Sequence, residues 1–535
     1  MRVLQREGKD RIFGVRSFTR ILGIASVWII LLGYGYSRAS ETSMTALERS
    51  GYTSLSSSAE ISAFLTELSK NSKSAERATI AFSALGTPIE ALLLASDMNR
   101  FRERGPAGTK LTLLLVGSQH GTESSGAEAL LLVARDILEG KLAPYLEDMN
   151  LVFIPNSNPD GRDLKRRVNG NGVNLSTNFV DLTEPESKGI INALHRWNPQ
   201  VLLDVHESAV LKKKSLAKQG YLTDFEAQFE AANNPNLDNR IHDFSFSRLL
   251  PDTLGRIQDL GLPAQRYIGE ITSIQQPITH GGLSLRNLRN MAGMLGAFSF
   301  LLENRLDPST GTYPTPHNIR ARVSKQYLCI TTFLESCRAH RQEMTALCRN
   351  ARMSWTNPGA EQPLYLDFGY VADPSRPQIT IPLRKSDTGE PLLHTFRYHG
   401  SVESRSRLAL PDSYIITEHH GLMRDILGRH HIPFETARGR TQYLVEIQRV
   451  LGRDDTAMDF QKGCPKFRLE QRREIYGPEP EDILVSLNQP GRRLIPLLLD
   501  LESSTGLFTL KPYCQLAKPL QDFFIHRIRA ANASP

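Results

Sequence analysis

The feature that most constrains this chain is a pair of nearly continuous apolar runs, LTLLLV at residues 111–116 and VLLDV at residues 201–205. A strand with one wet face alternates polar and apolar residues, whereas a strand covered on both faces does not. Helical patterns lie between the runs, at residues 125–138 and 185–197, and shorter strand patterns lie at 79–83, 90–95 and 151–155. Strands alternating with helices predict a doubly wound α/β sheet. A further helix is expected at 58–72, where Ile61, Phe64, Leu65 and Leu68 share one face. In such sheets ligands bind beyond the carboxyl ends of the strands, so the residues just after each apolar run are the first candidates for chemistry.

Those residues are ionisable. The first run leads into GSQHGTES, with His120 and Glu123 three residues apart on a tight turn, and the second leads into HES, with His206 at its start. An imidazole, a carboxylate and a second imidazole can hold one zinc ion and leave a fourth position open for water, the arrangement of a catalytic zinc. Each piece alone is ordinary: an HxxE pair is usually a surface pair, and a histidine beside Asp204 is usually a satisfied core residue. Their shared placement at strand ends makes them a candidate site.

Further residues follow in a set order: NPDG at 158–161, Arg167, Asn169, GVNL at 172–175, and EPE at 184–186. This series resembles the ordered motifs of the zinc carboxypeptidases, from about Ser57 to Arg305. The resemblance implies a mixed sheet of about eight strands flanked by helices, one zinc per chain held by His120, Glu123 and His206, and a peptide substrate. It also implies a general base at the end of a late strand, a position that FSFLLEN gives to Glu303, and an arginine that stabilises charge on the attacked carbonyl, a position that falls to Arg167. The chemistry is coherent: zinc acidifies water, a carboxylate can take its proton and pass it to the leaving nitrogen, and a fixed guanidinium can stabilise the developing oxyanion.

The pattern breaks where the family carries adjacent Asn and Arg to clamp a peptide's terminal carboxylate. Ser176 and Thr177 stand there, and neither can make the bidentate ion pair that suits arginine to carboxylates. The family's clamping tyrosine has no evident counterpart; His280 in THGG lies near its place, and Asn169, Arg286 and Arg289 are further candidates for substrate binding. Three readings follow: a metallopeptidase acting on peptides or cell-wall stem peptides, a zinc deacylase of N-acyl amino acids, and a non-catalytic envelope binding protein.

Composition bounds the rest. The chain has 535 residues, 40% hydrophobic and 23% charged, an ordinary globular balance that excludes a disordered or multi-span membrane protein. Its net charge of +7 owes much to Arg2, Arg6, Lys9, Arg11, Arg16 and Arg20, which precede an apolar run at 22–36. No basic recognition motif accompanies that charge, so no nucleic-acid partner is expected. The order basic, apolar, small-polar is that of a signal peptide or an uncleaved signal anchor over residues 1–43, placing the protein in the periplasm or outside the cell, with membrane anchoring through 22–36 in the uncleaved case. A catalytic domain is expected over 44–355 and a smaller α+β or β-rich accessory domain over 360–535. The segment 212–285 reads as a long polar insertion, 319–349 as one helix, 378–383 as a strand and 421–430 as a helix. Among five cysteines, Cys464 and Cys514 could pair in an oxidising compartment.

Overall fold

The strands before residue 307 are β1 (Ala75–Phe82), β2 (Pro88–Leu94), β3 (Leu111–Gly117), β4 (Met149–Ile154), β5 (Val201–Ala209), β6 (Tyr221–Thr223), β7 (Ala227–Ala231), β8 (Ala264–Arg266) and β9 (Phe298–Leu306). All but β6 join in one mixed sheet of order β1-β2-β4-β3-β5-β9-β7-β8. They are seen in a computed structural model that describes residues 44–529, apart from 105–109, 210–213, 307–317, 357–362, 438–440 and 460–463. The apolar run 22–36 lies outside the described residues. Among the described residues no helix is long and apolar enough to cross a membrane.

The four central strands β4, β3, β5 and β9 run parallel, and the apolar runs are covered on both faces as their composition demands. Leu114, Val116, Val152, Ile154 and Leu202 point to one side, where helix Pro185–Trp197 packs with Ile190, Leu194 and Trp197. Leu113, Leu115, Phe153, Leu203 and Val205 point to the other, under helices Ser58–Asn71, Ser125–Leu138 and Ile319–Ala339. Alternate residues of a strand face opposite ways, so a nearly continuous apolar run feeds both cores at once. Local signals set the helix ends. Ser57 and Glu60 form a capping box, Pro185 starts its helix, and Asn198 ends that helix in the left-handed region at φ 37°.

Two expectations are corrected. The segment 212–285 is not only an insertion: β7 and β8 lie within it and complete the main sheet beyond β9. Five and three residues long, these strands are too short to show a period. The helix expected over 319–349 is two helices, Ile319–Ala339 and Arg341–Met353, because His340 leaves helical geometry at φ −104°, ψ 9°.

The C-terminal segment is mainly β structure: β10 (Leu364–Val371), β11 (Gln378–Lys385), β12 (Pro391–Arg397), β13 (Ser401–Leu408), β14 (Ser413–Ile416), β15 (Glu435–Thr436), β16 (Tyr443–Asp459), β17 (Cys464–Tyr476), β18 (Ile483–Ser486) and β19 (Ile525–Ile528). β10 pairs with β13, β11 joins β12 to β6, and the rest form a six-stranded sheet around helix His420–Arg429. Tyr414, Ile426, Leu427 and Val485 belong to the same apolar cluster as Ile190 and Trp197, so this segment shares a core with one face of the catalytic sheet. Residues Thr45–Pro535 form one compact unit.

Cys464 and Cys514 are joined by a disulfide that closes a separation of 50 residues, whereas Cys329, Cys337 and Cys348 are buried free thiols. Chain-entropy arguments put a loop of that size at up to about 4 kcal/mol of stabilisation. Cys514→Ser should therefore lower the midpoint of urea unfolding relative to the oxidised protein. Adding reductant should lower the oxidised protein to the level of the variant and leave the variant unmoved.

Candidate metal centre

The sheet reverses its winding between β3 and β5, since the chain leaves β3 towards β4 and later returns to β5 on the other side. The crevice beyond their carboxyl ends is where such folds place ligands. Gly117 at the end of β3 pairs with Val205, so His206 follows directly on the neighbouring strand. After Gly117 the chain turns sharply through Ser118 at φ 55°, and Glu123 donates its backbone N–H to the His120 carbonyl. His120 and Glu123 are thereby brought to the crevice from one side and His206 from the other.

The three side chains converge. His120 Nδ1 lies 2.8 Å from Glu123 Oε1, His206 Nδ1 lies 2.9 Å from Glu123 Oε2, and the two Nδ1 atoms are 3.2 Å apart. Tetrahedral zinc with ligand bonds of about 2.1 Å separates its ligands by roughly 3.4 Å, so this donor set suits the ion in type and spacing. It is the one group of three or more ionisable side chains with metal-ligand spacing among the described residues. Each outward nitrogen is also held. His206 Nε2 sits 3.0 Å from Asp204, itself bonded by Gln119 at 2.6 Å, and His120 Nε2 sits 3.0 Å from both Asn174 Oδ1 and Ser176 Oγ. Such outer contacts fix ring orientation and aim Nδ1 at a metal.

Electrostatics follow from burial and these partners. Burial lowers the His120 pKa below the ordinary imidazole value. Burial acts in the same direction on His206, but Asp204 and Glu123 outweigh it and hold that ring well above the ordinary value. Burial would raise the Glu123 carboxyl, yet the two imidazoles outweigh it and hold it well below the usual range.

Glu303 stands opposite His206 in the β5–β9 register, one strand further along the same edge. Tyr267, half-buried, is within electrostatic reach of both Glu303 and Glu123, and desolvation raises its hydroxyl pKa. Arg167 is more than half exposed and donates to Glu123 Oε1 at 2.6 Å, so its guanidinium overhangs the centre.

The other candidates divide. Asn169 is buried, with Nδ2 donating to Glu184 and Glu186 and Oδ1 accepting from the backbone of Asn171 and Val173. Its amide is thus fully used in holding the 169–173 loop. His280 is also used by the protein: Nδ1 donates to the Tyr267 carbonyl at 2.8 Å and Nε2 accepts from the Tyr398 hydroxyl at 2.6 Å. Burial pushes its pKa down to about 4. Ser176 touches His120, Thr177 is exposed beside it, and Arg286 lies across the same turn. Sequence reasoning missed Gln119, Tyr267 and the buried ion pair in which Arg322 donates to both oxygens of Glu207 as neighbours of the centre. Gln119 and Glu207 adjoin the ligands, but Tyr267 and Arg322 stand in no motif.

The NPDG motif has a structural account. Asn158 donates to the Gln119 carbonyl and accepts from Gly161 N–H, while Asp160 binds Ser83 and the backbone of Leu85. Gly161 presses on Gly121, next to His120, so closely that a Cβ on Gly121 would lie 2.0 Å from its carbonyl carbon.

The fold and centre thus define an α/β protein with a candidate metal site at the switch point of its sheet. Residues 61–211 match the zinc carboxypeptidase family model. It is 27% identical to carboxypeptidase 2 of Trichophyton rubrum over 205 residues, 37% of this chain and 38% of that protein. It is 25% identical to the human carboxypeptidase N catalytic chain over 140 residues, 18% of this chain and 31% of that one. The chain thus spans less than two fifths of the length of these relatives. Among solved structures, a metallo-carboxypeptidase from Burkholderia cenocepacia aligns with TM-score 0.40 at 16% identity, covering 53% of this chain and 71% of that one. Carboxypeptidase A from Helicoverpa armigera aligns with TM-score 0.41 at 16% identity, covering 54% and 75%.

Two variants test this account. Asp204→Ala should weaken zinc binding about 10- to 100-fold, read by competition with a chromophoric chelator, because it frees the outer nitrogen of His206. Gly121→Ala should lose zinc binding by forcing the His120 turn away from the NPDG turn; a variant that binds zinc normally would contradict the packing described.

Proposed function

We propose that this protein is a zinc-dependent hydrolase of peptide or related amide bonds, with His120, Glu123 and His206 holding one zinc ion and Glu303 as general base. The observation that carries this reading is the convergence of two imidazole nitrogens and a carboxylate at adjacent strand ends, with Glu303 in register beside His206. When bound, zinc would supply Lewis acidity to the substrate carbonyl and lower the pKa of water at the centre.

The chain's own groups do the rest. Glu303 takes a proton from the attacking water and returns it to the leaving nitrogen, so that the same carboxyl serves as base and then as acid. Arg167 lies near enough to the centre to oppose negative charge growing on the carbonyl oxygen, although in this arrangement it is bound to Glu123 and must turn towards substrate to do so. Exported peptides and cell-wall stem peptides are the substrates this reading favours, in keeping with the signal-like order of residues 1–43.

Purified protein, reconstituted with zinc, should bind one equivalent and cleave members of a panel comprising peptides with free and amidated C-termini, N-acyl amino acids and stem peptides. Cleavage confined to the N-acyl amino acids would make it a deacylase. Glu303→Gln should keep its zinc while losing about 100-fold or more in kcat, as removal of a general base does. Full turnover in that variant would remove Glu303 from its role, and absence of stoichiometric zinc would remove the metal centre.

A further inference from the structure

The residue after the last candidate ligand is a buried carboxylate that the chemistry above does not use. Alternation along β5 sends Glu207 to the same face as Leu203 and Val205, under helices Ser125–Leu138 and Ile319–Ala339, where a carboxylate is costly unless donors and cations meet it. Arg322, on the second of those helices, meets both oxygens: Nε donates to Oε1 at 2.7 Å and Nη2 to Oε2 at 2.6 Å. Both side chains are almost wholly buried.

The pair reaches the metal centre by two routes. The Glu207 backbone N–H donates to Glu123 Oε2 at 3.1 Å, the same oxygen that meets His206 Nδ1 at 2.9 Å. The Glu207 carboxylate accepts from the backbone N–H of Ser125 at 3.0 Å, and Ser125 opens its helix two residues after Glu123. Ser124, before it, supplies no side-chain cap. Glu207 thus takes one of the N–H groups that a helix start leaves unpaired, at the end where the helix dipole favours an anion. One turn beyond Arg322, Gln326 Nε2 donates to the His206 carbonyl at 2.8 Å. A single helix therefore holds the backbone of His206 through Gln326 and the side chain of Glu207 through Arg322.

Stability alone does not account for such a pair. Replacing a buried ion pair by apolar side chains of similar volume is often neutral or stabilising, because desolvation of the two charges offsets their attraction. What an apolar pair cannot supply is an acceptor for the Ser125 N–H and a fixed orientation for the backbone of Glu207. Resting on the metal centre proposed above, we propose that Glu207, held by Arg322, is a positioning residue that fixes the separation of Glu123 and His206. It thereby sets the affinity and geometry with which the centre holds its metal ion, and takes no part in proton transfer.

The test separates fold from metal geometry in the whole chain. Glu207→Met combined with Arg322→Met removes both charges at once. Without metal, the urea midpoint of this paired variant should match or exceed that of the wild type. Its zinc dissociation constant, read by competition with a chromophoric chelator, should rise about ten-fold or more. Loaded with Co2+, it should show visible absorption bands shifted and altered in intensity from those of the wild type, a signature of ligand geometry that a change in stability does not move. Arg322→Lys keeps the charge without the two-bond fork and should weaken zinc binding by a smaller factor. Wild-type zinc affinity and cobalt spectrum in the paired variant would overturn the inference while leaving zinc binding by His120, Glu123 and His206 intact. A paired variant that fails to fold, or whose affinity falls only in step with its stability, would overturn it too, since the pair would then serve the fold alone. Absence of zinc from the wild-type protein would remove the centre itself and this inference with it.

Discussion

The carboxylate of Glu123 is the point on which the site depends. It is buried, and a buried carboxylate is costly unless its oxygens are met by donors or cations. Here Oε1 meets His120 and Arg167, while Oε2 meets His206 and the backbone N–H of Glu207. These partners come from the turn after β3, the 165–169 loop and the end of β5, so one side chain ties together the segments that carry the chemistry. Glu207 extends the tie: its carboxylate accepts from Ser125 N–H and from two nitrogens of the fully buried Arg322, on the helix behind the sheet. Breaking a buried ion pair of that kind by removing one partner typically costs about 3 to 5 kcal/mol. The strand end bearing His206 is therefore anchored on both sides of the sheet.

The parts of this arrangement that could be read from sequence are those whose signals are local. The runs at 111–116 and 201–205 announced doubly covered strands because each is apolar at all but one position, Thr112 and Asp204, and capping or proline signals fixed the starts of helices at Ser58 and Pro185. The candidate ligands were legible because two motifs each followed such a run. The short strands β7 and β8 were hidden because their pairing with each other and with β9 is set by the tertiary fold rather than by a period. Arg322 and Tyr267 were hidden for a related reason: an isolated arginine in a helix, or a tyrosine in a polar segment, carries no sign of a partner a hundred residues away.

Motif residues also proved to serve different ends. Asn169 and Glu184 stand in the series that marks the family, yet their polar atoms bind one another and the backbone between 169 and 186. His280 ties the loop before β9 to Tyr398 in the C-terminal segment. These residues shape the walls of the crevice rather than its floor. The C-terminal segment takes part in the same work, because β11 pairs with β6 and Asn233 bonds Tyr370 on β10. The chain beyond residue 363 thus braces the segment that leads into the last strands of the main sheet.

The same division of work is seen in the turn at residues 174–178. In the turn itself, Asn174 and Ser176 are both committed to the outer nitrogen of His120, and Thr177 points outward. A side chain placed in the turn for carboxylate binding would share a short backbone with groups that must hold the histidine still. The Arg286 guanidinium meets the same turn from a separate loop pinned through Phe179 and Ser284. Orientation of the His120 ring is thus set within the turn, while the turn itself is braced from a different segment through the Thr177 carbonyl.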